Sequence, residues 1–238
     1  NDANDYAIGG SFGIGGLVGL QKYGAAKFTL AMNNSFLGGA TIRGGTLQLG
    51  DGTNAATLGS GPVSNNATLA FAYPQTNAFG NTISGSGSVV QNGAGQVTLS
   101  GTNSYTGATV VNRGRLVLTG SINSNSPVTV VTGAVLSVVG VNATGNSGAT
   151  LTPGTVTLDG GLLSNDGAPN TTQVLNGGLV LRGGGTLAAT AVPNGTFGHF
   201  ILFNNGGKIV STGDVQNLIS AAVHFAGTHG GEVHDGAA

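Results

Sequence analysis

The sequence has no cysteine, no tryptophan, a single methionine, and only 6% charged residues. Without cysteine no disulfide framework can hold it together, so stability has to come from packing. The seven basic residues, Lys22, Lys27, Arg43, Arg113, Arg115, Arg182 and Lys208, are scattered along a chain of net charge −1. They make no basic stripe to neutralise phosphates, which argues against nucleic-acid binding. No apolar run approaches the ~20 residues of a membrane-spanning helix. The sequence also lacks a P-loop, an HExxH pair, a dinucleotide fingerprint and the calcium-binding G-G-x-G-x-D nonapeptide.

Glycine is what the chain has in abundance, at 46 residues, but with only six prolines and no Gly-X-Y period it is not collagen. Hydrophobic residues make up 39%, too many aliphatics and too little charge for a disordered polar chain. The combination suits many short buried strands joined by tight Gly and Asn turns.

Sliding the chain along itself lays Gly24–Leu49 on Gly93–Leu118 without a gap, with ten of 26 positions identical. The identities include apolar positions such as Leu30/Leu99, Leu47/Leu116 and Leu49/Leu118, while Phe36 faces Tyr105. Each copy reads as a short alternating strand (Phe28 to Leu30; Val97 to Leu99) and a polar turn from Asn34 to Gly38 or Asn103 to Gly107. A second strand follows (Ala40 to Ile42; Thr109 to Val111), then a glycine turn and a third strand (Thr46 to Leu49; Arg115 to Leu118). Segments 68–71, 128–131, 135–138, 156–158 and 179–181 continue the pattern. Three short strands per coil of roughly 20–25 residues predict an all-β, right-handed parallel β-helix, a solenoid of about ten coils. In it, equivalent turns are expected to lie above one another. An antiparallel β-sandwich is the alternative. Residues 1–213 are expected to form the repeat array. Residues 214–238 are expected to hold a short capping helix, with Asp214 as N-cap and Val215, Leu218, Ile219 and Ala222 on one face, followed by a polar tail.

The run from Gly93 to Thr109, GAGQVTLSGTNSYTGAT, resembles the autotransporter-associated β-strand repeat, or passenger-associated transport repeat. The first copy departs from it at Ala26, Met32, Phe36 and Ala40, but its ending, Gly45-Thr46-Leu47-Gln48-Leu49-Gly50, matches closely. The resemblance covers Gly13–Gly52 and Ile83–Gly120. It implies a secreted or surface-displayed β-helix of a Gram-negative bacterium, linked to passage across the outer membrane; the lack of cysteine suits a chain that crosses an envelope unfolded. Such passengers serve as adhesins, aggregation factors, toxins or protease carriers. A signal peptide is expected to have been removed or to lie outside this sequence, and no alternating membrane strands follow the repeat array.

No catalytic constellation emerges. Asp51, Asp159 and Asp166 each precede glycine and read as turn residues, the alternative being a carboxylate pair across coils. Gly9-Gly10-Ser11-Phe12-Gly13 has the spacing of a hydrolase elbow but no strand–Ser–helix context, and reads as a repeat turn. His224, His229, Glu232, His234 and Asp235 form the one cluster with metal-ligand chemistry, against the plainer reading of a polar tail. The expectation is therefore a non-enzymatic structural or adhesive surface module without catalytic, cofactor or metal residues. Its contacts would be homotypic or with a host or cell-surface ligand, because the N-terminal stretch Tyr6 to Phe12 carries neither charge nor proline to block an open strand edge. A polysaccharide-processing β-helix enzyme, or the stalk of a toxin or protease passenger, is the alternative.

Overall fold

The computed structural model describes residues 4–123, 125–140 and 154–166, and further along the chain 172–174, 178–189, 200–203, 209–212, 218–219, 222–225 and 233–235. All regular structure among these residues is β, and no helix occurs. Every strand pairing among them is parallel. The only antiparallel element among the described residues is an isolated bridge between Val131 and Gly160. This is a parallel β-solenoid, and it excludes the antiparallel sandwich.

One eleven-stranded sheet runs from Tyr6–Gly9 to Val233–Asp235 and takes one strand from each coil. The coil then crosses a second side, first the three-stranded sheet of Gly15–Gly16, Asn33–Phe36 and Thr57–Leu58, later the seven-stranded sheet that begins at Asn77–Phe79. The third side holds four early strands, Leu20–Lys22, Ala40–Ile42, Val63–Asn65 and Ile83–Ser84, and three late ones, Thr172–Val174, Phe200–Phe203 and Ala222–Phe225. Strands of two to five residues suffice because each backbone group pairs with the coil above or below. Period-2 alternation then stacks like on like inside. One column runs Leu30, Leu49, Phe71, Gln91, Val111, Val130, Leu158, Leu181; another runs Val97, Leu116, Leu136, Leu163, Leu187. All of these residues are buried.

The two sequence copies do not lie above one another. In the first, Lys27–Ala31 and Thr46–Leu49 pair with each other in the eleven-stranded sheet; in the second, Gln96–Leu99 and Arg115–Leu118 pair in the seven-stranded sheet. Each copy closes one coil, bringing Phe28 onto Leu47 and Val97 onto Leu116. The coil that stacks in register above Phe28, Leu47 and Leu69 does so through Val89, and Val97 lies on the strand after it. The offset between the copies is thus a whole number of coils plus one strand, and the second copy begins one side further round. What recurs is the geometry within a coil. Gly45 and Gly114 show this most directly. Both adopt φ near +60°, and a Cβ at either would overlap the carbonyl oxygens of residues 24–26 or 93–95 in the coil beneath.

The expected polar turn at Asn34 and Asn103 is a buried rung. Asn33–Phe36 is itself a strand. Asn34 Nδ2 donates to the carbonyls of Met32 (3.1 Å) and Thr57 (2.8 Å), and its Oδ1 accepts from the Ile14 N–H (2.9 Å). Asn103 repeats this with Gly101 (2.9 Å), Ser121 (3.0 Å) and the Ile83 N–H (2.9 Å). The amide ties three coils together where the chain bends and cannot continue its ladder. The aromatic two residues on is buried in both copies. The Tyr105 hydroxyl bonds Thr109 Oγ1 (2.7 Å), which bonds Ser126 Oγ (3.0 Å), which donates to the Gly107 carbonyl (2.6 Å). The equivalents of Tyr105 and Thr109 in the first copy are Phe36 and Ala40, so two departures from the repeat pattern are one: both hydroxyls are absent together, and neither copy strands a partner.

Within the segment expected to be a capping helix, Leu218–Ile219 and Ala222–Phe225 are instead strands that extend the seven-stranded and three-stranded sheets, while Asp214 and Val215 lie outside the described residues. A helix of about ten residues is marginal by itself, whereas an existing sheet edge offers these residues backbone partners. Val233–Asp235 continues the eleven-stranded sheet, so stacking extends past residue 213.

Thr109→Ala and Tyr105→Phe are each expected to cost roughly 1–2 kcal/mol. The double variant should cost less than their sum, because it recreates the first copy's apolar pair; urea unfolding of the three variants measures the coupling. Burial also holds the Tyr73 and Tyr105 phenols above the ordinary tyrosine range. A raised folded-state pKa contributes stability that is fully present below the unfolded value of about 10 and is lost as pH rises beyond it. The urea midpoint should therefore fall above about pH 10, and less steeply in the Tyr105→Phe/Thr109→Ala variant.

Candidate functional site

The acidic residues singled out by sequence are used internally. Asp51 shapes its own turn: Oδ1 accepts from the Thr53 N–H (2.9 Å), Thr53 Oγ1 (2.7 Å) and the Asn54 N–H (2.6 Å), and Oδ2 accepts from Asn54 Nδ2 (3.0 Å). These bonds, led by those from Asn54, hold its carboxyl far below the usual carboxylate range. Asp159 pairs with Arg182, its register partner one coil on, at 3.0 Å. Asp166 accepts from Arg115, Ser137 and Ser164 (2.6 Å for Ser164), which belong to three consecutive strands of the seven-stranded sheet. It is a tie between coils, a role its position before a glycine did not reveal. Arg115 and Arg182 thus face Asp166 and Asp159, so these two carboxylates are partnered by cations.

Of the C-terminal cluster, His224 lies on the late three-stranded sheet, whereas His234 and Asp235 lie on the eleven-stranded sheet; His229 and Glu232 fall outside the described residues. Ser11 follows the strand Tyr6–Gly9 but no helix follows Ser11, so the Gly-x-Ser-x-Gly string is not a nucleophile elbow.

A basic residue that sequence reading counted only as scattered charge is a structural plug. Lys22 is 7% exposed, and its ammonium donates to the carbonyls of Tyr23 (2.7 Å), Gly24 (2.8 Å) and Gly44 (3.0 Å). Its counterpart in the second copy is Gln91, whose Nε2 donates to the carbonyls of Gly93 (3.0 Å) and Gly95 (3.0 Å). Both side chains sit at an inward position next to a glycine turn and donate to its carbonyls. The signal was present in the alignment, just upstream of where the identities begin.

The feature best suited to meeting a partner is the first coil. Tyr6, Ile8, Phe12, Ile14, Leu17, Val18 and Tyr23 are exposed, Phe12 at 90% and Leu17 at 85%. Tyr6 and Ile8 stack on Phe28 and Leu30 of the next coil. They belong to the interior columns. Among the described residues, the strands Tyr6–Gly9, Gly15–Gly16 and Leu20–Lys22 stand at one end of the strand order of their sheets. Exposed apolar side chains and sheet-end strands therefore coincide in the first described coil. Asp5, which bonds the Lys27 N–H (2.8 Å) and faces its ammonium (3.4 Å), is the one acid that flanks the Tyr6–Gly9 edge among the described residues.

Lys22→Met should destabilise the chain by roughly 1–3 kcal/mol, since three part-buried carbonyls lose a charged donor. Lys22→Gln should cost clearly less, because Gln91 already fills the equivalent place; thermal unfolding of the two variants makes the comparison.

The passenger-associated transport repeat family matches this chain twice, at residues 20–49 and 89–118. The two matches share the offset of the internal repeat, and each contains the paired strands, buried asparagine and buried aromatic described above. A curated relative, the adhesin BmaC autotransporter of Brucella suis biovar 1 (strain 1330), is 37% identical over 121 residues, which is 49% of this chain and 3% of the relative. The chain thus corresponds to a small fraction of that protein's length. No solved structure matches the chain. Two segments of the chain match the passenger-associated transport repeat, and each closes one coil of the parallel β-solenoid.

Proposed function

We propose that the chain is a structural, adhesive section of a secreted passenger displayed on the surface of a Gram-negative bacterium, and that it associates with copies of itself through exposed apolar side chains such as Ile8 and Phe12. The observation that carries this reading is the parallel stack itself, in which a strand edge is met by the matching strand of another coil. Such an edge is a template for a further strand in the same parallel register, and the chemistry that fits it is another coil of the same grammar. The repeat family and the adhesin relative support the extracellular, non-catalytic part of the reading. The polysaccharide-processing alternative draws less support, because Asp159 and Asp166 are already partnered by arginines.

Sedimentation velocity across a concentration series, with electron microscopy alongside, tests the self-association. The wild-type chain should form oligomers or short filaments as concentration rises. Ile8→Lys/Phe12→Lys should remain monomeric with an unchanged melting temperature, since both side chains are exposed. A wild-type chain that stays monomeric at the highest concentration, or a double variant that assembles as well as wild type, would overturn the reading.

A further inference from the structure

Where the chain turns from the eleven-stranded sheet onto the second side, four successive coils leave a groove of about 470 Å³. Its walls are uncharged and polar: Ser11 from the first coil, Asn33 from the second, Asn54 from the third, and Gln75, Thr76 and Asn77 from the fourth. Ala31 and Met32, both buried, contribute an apolar strip to the lining. At one coil spacing of ~4.8 Å per step, the groove runs on the order of 14 Å along the stack.

Several of its polar groups are unspent. The side chains of Asn33 and Gln75 are exposed and make no hydrogen bond to another described residue. Asn54 and Asn77 donate through Nδ2 to Asp51 Oδ2 (3.0 Å) and the Gln75 carbonyl (3.2 Å), which leaves both amide oxygens as free acceptors among the described residues. The groove therefore offers both donors and acceptors, from uncharged side chains. Lacking a cation, the groove does not suit phosphate or a polyanion, and the ionised Asp51 carboxylate beside Thr53 and Asn54 disfavours anionic polymers further. An extended peptide is also poorly matched. Such peptides bind sheets by pairing with an open strand edge, and the strands that flank the groove, Lys27–Ala31 and Asn33–Phe36, already have a neighbour on each side.

We propose that this groove binds a short, extended, neutral oligosaccharide. Sugar hydroxyls both donate and accept, which matches free amides and hydroxyls. The C–H face of a sugar ring suits the Ala31 and Met32 strip. Polar side chains from four successive coils spread these contacts along the stack, where successive sugar residues of a linear glycan would lie. The proposal deepens the adhesive reading above by naming a ligand class, but the site is distinct from the exposed apolar side chains Ile8 and Phe12.

The test is titration calorimetry of the whole chain with neutral tetrasaccharides derived from glucan, mannan, xylan, galactan and chitin. An oligogalacturonate and an extended polar peptide complete the panel. At least one neutral tetrasaccharide should bind, and Asn33→Ala/Gln75→Ala should weaken it about tenfold or more without shifting the melting temperature. The Ile8→Lys/Phe12→Lys variant should keep this binding, which separates failure of the groove from failure of self-association. Absence of binding by every neutral glycan overturns the proposal, as does binding undiminished in Asn33→Ala/Gln75→Ala, or a preference for the galacturonate or the peptide.

Discussion

The structure depends on parallel, in-register stacking of each coil on the one before it. A strand of two to five residues has no stability of its own; it persists because its backbone donors and acceptors are met above and below. Low charge, high glycine content and short strands follow from that requirement. Positions that stack directly must not repel, and turns must pass close over turns. At Gly45 and Gly114 only a residue without Cβ can do so with positive φ.

The same stacking explains the polar residues inside. Where the coil bends, buried polar side chains bond the backbone groups beside them. Asn34 and Asn103 each bond two carbonyls and one N–H, Lys22 bonds three carbonyls, and Gln91 bonds two. A buried amide or ammonium without such partners would cost more than its burial gains. The paired loss of hydroxyls at Phe36 and Ala40 obeys the same rule in reverse, since an apolar pair is tolerated where half of a hydrogen-bonded pair would not be.

Stacking also sets the surface. Along the sides, side chains of successive coils meet, so Asp159 pairs with Arg182, Asp166 ties three strands, and uncharged polar side chains line a groove across four coils. In the first described coil, residues with the character of a core are exposed instead. The two regions differ in chemistry, one polar and the other apolar.

The sequence by itself determined the solenoid. The internal self-match, the alternation in 28–30 and 97–99, and the glycine punctuation leave little else that such short strands could build, and several strand segments, 40–42, 46–49, 68–71 and 109–111 among them, stand where the pattern put them. It also located Asn34, Asn103, Phe36 and Tyr105, but as surface turn residues, because polarity and proximity to glycine look the same whether a residue faces water or a bend in the core. Only the tertiary structure decided that these asparagines are buried, that the second copy starts one side round from the first, and that Lys22 is a plug. Each of these depends on which coil lies above which, a relation between segments a full coil apart that local pattern does not encode. For the same reason Leu218–Ile219 and Ala222–Phe225 are strands: helical spacing is a local preference, and the sheet edge that overrode it exists only once the preceding coils have stacked.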